Sequence, residues 1–332
     1  MKGPILITGA YRSGSTLLAQ MLNAHPQLVI PYDKAHFFRF YLDEACPLED
    51  NYKRILDEAK ERFKIRFDIE IPYDRIVSKI EQGGNISLGR LYETFMLETF
   101  HDGSSNVRWG EKTLLQCSNI PLFLQMFEES QAIHIIRDPR DVLASKREMT
   151  WEKPYNYLGA VFVCLYSMNW AKTKGSVISG TRYKIVIYEE LIKEPEKKIR
   201  EICKFLKIPF NENLIEPKSF KDGKGDQWKS NTAFGDIKEG ISSRPSERWK
   251  KALEKWEILF TESILGHLLD TFGYKLSNME FNSTDLACVW ERIRETPIIQ
   301  GYLQHWFSTG EGIECHSSDP RNKDNWSKHK LV

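Results

Sequence analysis

Three short runs of the chain are largely apolar, Ile5 to Thr8, Ile133 to Ile136 and Tyr183 to Ile187, and each leads within a few residues into a segment with helical spacing. Apolar runs of this length read as strands buried on both faces, because a half-solvated strand alternates apolar with polar positions. Helical periodicity runs through Leu17 to Leu22, Ser118 to Phe127, Asp138 to Met149, Tyr157 to Lys174 and Glu196 to Leu206, with a further short strand at Val107 to Trp109. Strand and helix in alternation predict an α/β fold, a central parallel sheet flanked by helices on both faces. Residues of about 40–105 break that alternation with a charged helical stretch from Asn51 to Phe67, a Gly83-Gly84-Asn85 interruption and an amphipathic helix from Ser87 to Phe100. They read as a helical insertion or cap. The Tyr188-Glu189-Glu190-Leu191 run reads as a turn into the Glu196 helix, Asp222 to Gly240 as a loop, and two short helices extend through Phe272. One domain over 1–275 is predicted, followed by an extension over 276–332 in which Trp290, Trp306 and Trp326 stand among polar residues without a motif.

Composition narrows the function. Lys and Arg total 47 against 46 Asp and Glu, so no global field recruits nucleic acid or an anionic membrane, and any anion is bound by local basic clusters. The N-terminus enters a strand without a basic and apolar leader, and the most apolar later segment, Leu158 to Met168, is shorter than a bilayer span. A cytoplasmic protein with no membrane span is expected. The six cysteines show no Cys-x-x-Cys spacing, which argues against zinc and for thiols in a reducing compartment.

The chemistry is concentrated in two motifs. Gly9-Ala10-Tyr11-Arg12-Ser13-Gly14-Ser15-Thr16 lies between the first strand and the first helix, as a phosphate-binding loop does. Its Gly-x-x-x-x-Gly spacing matches a nucleoside-triphosphate loop, but Ser15 stands where the lysine of such a loop is expected. Arg12 supplies the charge instead, and Gly14, Ser15 and Thr16 supply donors at a helix N-terminus, so the loop suits one compact anionic group with no metal. The second motif begins at Arg137, on the end of an apolar strand, with Asp138 as N-cap and Pro139 at the first helical position. Ser145 follows about two turns later, where its hydroxyl and the Arg137 guanidinium can converge on a second phosphate. A third run, Trp109-Gly110-Glu111-Lys112-Thr113, puts Lys112 just beyond a short strand, able to reach the sheet edge where ligands bind.

The two main motifs, their order and their placement after strands resemble the sulfotransferases that use 3'-phosphoadenosine 5'-phosphosulfate (PAPS), nearest in motif to the tyrosylprotein and bacterial types. The resemblance covers roughly residues 4–272 and implies a P-loop-type sulfotransferase fold. By resemblance, Arg12, Ser13, Gly14, Ser15 and Thr16 hold the 5'-phosphosulfate, Arg137 and Ser145 the 3'-phosphate, and Lys112 stabilises charge at the bridging oxygen. Tyr188 corresponds to the tyrosine beside the adenine, and Ser243 and Arg244 to a late segment that touches the 3'-phosphate. For the general base the family's glutamate position falls on Asp33, one methylene shorter, and His36 lies close enough in sequence to take the proton instead.

The resemblance implies transfer of a sulfuryl group to a hydroxyl of a small-molecule or glycan acceptor. Two other functions fit the same elements: a P-loop kinase-like phosphotransferase, which would need a loop lysine and Mg²⁺ ligands, and a non-catalytic nucleotide-binding protein.

Overall fold

The computed structural model describes residues 3–31, 35, 37–40, 48–101, 107–148, 154–178, 180–221, 227–228, 241 and 246–315. Its centre is a sheet of β1 (Ile5–Gly9), β2 (Leu28–Val29), β3 (Arg108–Lys112), β4 (Gln131–Ile136) and β5 (Tyr183–Ile187) in the order β2-β3-β1-β4-β5. All four strand pairings are parallel. Ile5, Leu6 and Ile7 are completely buried because helices cover both faces, and each contributes about 1.5–3 kcal/mol on burial.

Alternation along the strands sorts the helices. Ile5, Ile7, Ile133 and Ile135 pack against α1 (Ser15–Asn23). Leu6 and Ala132 face the other layer, which includes the insertion: α2 (Phe37–Phe40), α3 (Leu48–Phe67), α4 (Tyr73–Gln82) and α5 (Leu88–Phe100), together with α6 (Ile120–Met126). After β4 come α7 (Pro139–Arg147) and α8 (Gly159–Thr173), and Ser167 of α8 meets His134 on that same second face. The helices α9 (Tyr188–Lys193) and α10 (Pro195–Leu206) return to the α1 layer. The chains leaving the adjacent strands β1 and β4 therefore turn to opposite faces, which opens a crevice at their C-terminal ends, where open α/β sheets bind ligands.

The pattern-based reading differs from the fold in a few places. The strand placed at Val107 to Trp109 runs over Arg108–Lys112, with its charged residues buried. Tyr188 to Leu191 is helical rather than a turn. The pattern gives no helix where α4 stands, since α4 fully buries only Ile76 and Ile80.

The C-terminal extension closes the main core. After α11 (Trp249–Ala252) and α12 (Lys255–Leu269), α13 (Ser283–Arg294) and α14 (Pro297–Thr309) add Val289, Ile293, Ile299 and Leu303 to the cluster formed with α7, α8 and α12. Beyond α14 the chain runs so close to α8 that a Cβ on Gly312 would lie 2.1 Å from the Tyr166 backbone nitrogen. Glu314 then accepts hydrogen bonds from the hydroxyls of Tyr166 at 2.9 Å and Ser118 at 3.2 Å, fastening the tail to the segment after β3.

Candidate active site

The loop after β1 is shaped by two left-handed residues, Arg12 at φ 66° and Gly14 at φ 94°. Between them the Ser13 N–H donates to the Ala10 carbonyl at 3.2 Å. Such a turn at the head of a helix aims backbone N–H groups at one point and makes an anion-binding concavity. No acidic side chain occupies the first turn of α1 to compete for it. Gly14 is required twice over, since a Cβ there would lie 2.2 Å from the Tyr188 ring. The Ser13 hydroxyl is buried and has no hydrogen-bond partner among the described residues, so the loop contains a donor in want of an acceptor.

The second motif closes on the first. Asp138 caps α7 by accepting the Arg140 N–H at 2.9 Å, and Pro139 fills the first helical position. Arg137, at the end of β4, donates to the Arg12 carbonyl at 2.9 Å and lies 4.5 Å from the centre of the Tyr188 ring. Arg12 in turn donates from Nε to Ser145 Oγ at 2.9 Å. Glu189, next to Tyr188, accepts the Asp138 N–H at 3.0 Å and the Tyr274 hydroxyl at 2.7 Å, which ties the end of β5 to the end of β4. Arg12, Gly14, Arg137, Ser145 and Tyr188 thus form one patch. Ser15, which opens α1, is buried, and Thr16 beside it is partly exposed.

The electrostatics of the patch favour an anion. Burial lowers the pKa of Arg12, and the nearby Arg137 and Arg248 guanidinia lower it further. The Glu148 carboxylate offsets part of this crowding, and a bound anion would relieve it further in a low-dielectric site. Arg248 is the member that the motifs did not reveal. It ion-pairs with Glu148 at the end of α7, and its segment is held by the buried Asp141, which accepts the N–H groups of Glu247 at 2.9 Å and Trp249 at 3.0 Å. The only sequence signal for either residue is indirect: Asp141 is one helical turn from Ser145, and Arg248 stands in a basic run.

Lys112 ends β3, paired in register with Ile7, and its N–H donates to the Pro31 carbonyl at 3.3 Å. It is 1% exposed, so it is not a solvated surface lysine. Strand alternation puts it on the α1 side of the sheet. Trp109 and Glu111 face the other way, where they bond to Glu93 and to the Tyr92 hydroxyl. Asp33, His36, Ser243 and Arg244 lie outside the described residues.

The arrangement offers an anion cradle at the α1 N-terminus and a basic subsite around Ser145, joined by Arg12, with Tyr188 between them. No helix among the described residues is long and apolar enough to cross a membrane.

The model of the sulfotransferase family matches residues 4–212. Carbohydrate sulfotransferase 1 of Rattus norvegicus is 27% identical over 189 residues, covering 49% of this chain and 43% of that protein. Protein-tyrosine sulfotransferase of Drosophila melanogaster is 24% identical over 227 residues, 65% of this chain and 40% of that protein. The chain thus spans less than half the length of these relatives. Among solved structures, the sulfotransferase domain of the curacin biosynthetic pathway superposes with a TM-score of 0.57 at 20% identity, covering 83% of this chain and 99% of that one. The corresponding domain of the Synechococcus PCC 7002 olefin synthase gives 0.54 at 24%, covering 83% and 97%. These two share the fold, and the family match extends over more than half of the 332 residues. The chain belongs to the sulfotransferase family.

Proposed function

We propose that this protein transfers the sulfuryl group of PAPS to a hydroxyl of a small-molecule or glycan acceptor. The observation that carries the reading is the junction of two basic subsites through Arg12, with Ser15 in place of a triphosphate lysine. A nucleotide with phosphates at both its 5' and 3' positions fits such a pair of subsites, and the unpartnered Ser13 hydroxyl supplies a donor for the first.

In this reading the acceptor oxygen attacks sulfur in line, the bond from sulfur to the 5'-phosphate oxygen breaks, and adenosine 3',5'-bisphosphate leaves. Arg12 and the N–H groups of Gly14, Ser15 and Thr16 hold the leaving phosphate, aided by the α1 dipole. Lys112, buried at the sheet edge, stabilises charge on the oxygen released from sulfur. Arg137, Ser145, Ser243 and Arg244 bind the 3'-phosphate, and Tyr188 flanks the base. Asp33 takes the acceptor proton, with His36 as the alternative base. Carbohydrate sulfotransferases among the relatives support a sugar hydroxyl as the acceptor. A kinase-like reading is disfavoured by Ser15, because a serine leaves the β and γ phosphates without the lysine of triphosphate loops.

The test is transfer of label from [35S]PAPS to a panel of glycans and small hydroxylated compounds. Label in an acceptor supports the proposal. Tight nucleotide binding with no transfer to any acceptor class would point to the non-catalytic alternative.

A further inference from the structure

Asp141, in the first turn of α7, sits one helical turn before Ser145 and so on the same face, and its carboxylate also reaches toward Arg137, which precedes the helix. A completely buried carboxylate is out of place there, because it sets a negative charge beside a site built to receive anions and is costly to desolvate. Its bonds give it a purpose. Oδ2 accepts the Glu247 N–H at 2.9 Å and lies 3.7 Å from Arg137 Nη2, while Oδ1 accepts the Trp249 N–H at 3.0 Å. These two amides bracket Arg248. Glu247 is held in the left-handed region at φ 56°, a conformation that a non-glycine residue keeps only where its surroundings enforce it. The Arg248 guanidinium pairs with Glu148, three residues after Ser145 at the end of α7, and both charges act on Arg12, which is bonded to Ser145.

We propose that Asp141 is a positioning residue for the 3'-phosphate subsite: its carboxylate fixes the backbone on both sides of Arg248 and so aims that guanidinium, together with Arg137, at the phosphate met by Ser145. The inference rests on the PAPS reading, since only a nucleotide with a 3'-phosphate would use the subsite. A simpler role exists, in which Asp141 merely braces the start of α11, a helix with no side-chain cap of its own.

Binding of adenosine 3',5'-bisphosphate and of adenosine 5'-monophosphate to the full chain, measured by calorimetry, separates the two roles. Asp141→Asn keeps the shape but has a single acceptor oxygen and no charge. It should weaken the bisphosphate by about tenfold or more and the monophosphate by less than about twofold. Arg248→Ala should show the same selectivity, and the double variant should bind the bisphosphate no more than about twofold worse than the weaker single variant, as expected of two residues acting as a unit. Equal losses for both nucleotides, or losses that multiply in the double variant, would overturn the proposal in favour of the brace. A wild type that binds both nucleotides equally would overturn the PAPS reading first and this inference with it. If Asp141→Asn does not fold, hydrogen exchange of the wild type decides: the Glu247 and Trp249 amides should be better protected by the bisphosphate than by the monophosphate, and equal protection contradicts the proposal.

Discussion

Arg12 donates from Nε to the hydroxyl of Ser145 at 2.9 Å across 133 positions of sequence, so the loop after β1 and the second turn of α7 meet in one surface. Arg137 reinforces the junction by donating to the Arg12 carbonyl. Anion affinity should therefore depend on both arms together.

Arg137→Ala removes a charged donor, the bond to the Arg12 carbonyl and the packing on Tyr188. It should lower affinity for adenosine 3',5'-bisphosphate by about 1.5–3 kcal/mol, roughly 10- to 150-fold, in a calorimetric titration. Unchanged affinity would remove Arg137 from the site.

Lys112→Met keeps most of the buried stem and deletes the charge. If Lys112 acts on charge that develops only in the transition state, turnover should fall by about a hundredfold or more while binding of the product nucleotide changes little. A matched pair then assigns the base: Asp33→Asn should cost about 10² to 10⁴ in turnover with donor binding retained. Near-normal turnover in Asp33→Asn together with loss in His36→Ala would move the proton to the imidazole.

Gly14→Ala should be damaging in two ways. Alanine at φ 94° carries a strain of about 1–3 kcal/mol, and its Cβ collides with the Tyr188 ring. A clear drop in melting temperature together with loss of nucleotide stabilisation is expected. A variant with wild-type stability and binding would show that the loop is not held against Tyr188.

His134 gives a pH dependence of stability. It is completely buried between the Tyr183 hydroxyl at 2.9 Å and the Ser167 hydroxyl at 2.7 Å, and burial pushes its pKa down to about 3. The unfolded chain takes up this proton near pH 6.5 and the folded chain does not, so His134 costs stability as pH falls from about 6.5 to about 3. By about pH 5 the loss from this one residue should reach roughly 2 kcal/mol relative to neutral pH. Chemical denaturation of the wild type and of His134→Gln at several pH values measures it as the difference between two slopes. Parallel slopes would mean that the imidazole takes up its proton in the fold as readily as in the unfolded chain.

Much of this was legible in the chain. The strand from Tyr183 to Ile187 has the bounds that its run predicted, because an aromatic and β-branched stretch carries strand propensity locally even at the edge of the sheet. The phosphate loop and Arg137 are also local: a strand end, a turn and a helix start within a dozen residues. What escaped is set by distant partners. Lys112 and Glu111 are charged residues in a buried strand, which polarity alone places outside it. Asp141 gains its importance only when Glu247 and Trp249, over a hundred residues away, bring their amides to it. The extension carries no motif because its role is contact: Gly312 is required by the backbone of Tyr166 and Phe162, which no local pattern encodes.

The central claim is that the site reads a nucleotide with a separate 3'-phosphate. Thermal unfolding of the full chain with adenosine 3',5'-bisphosphate and with ATP plus Mg²⁺, at equal concentrations, tests it most directly. A ligand present at about a hundred times its dissociation constant stabilises the fold by about 2.7 kcal/mol, which a melting curve resolves. A large rise with the bisphosphate and little or none with ATP and Mg²⁺ is the predicted result. Equal stabilisation by the two would contradict it.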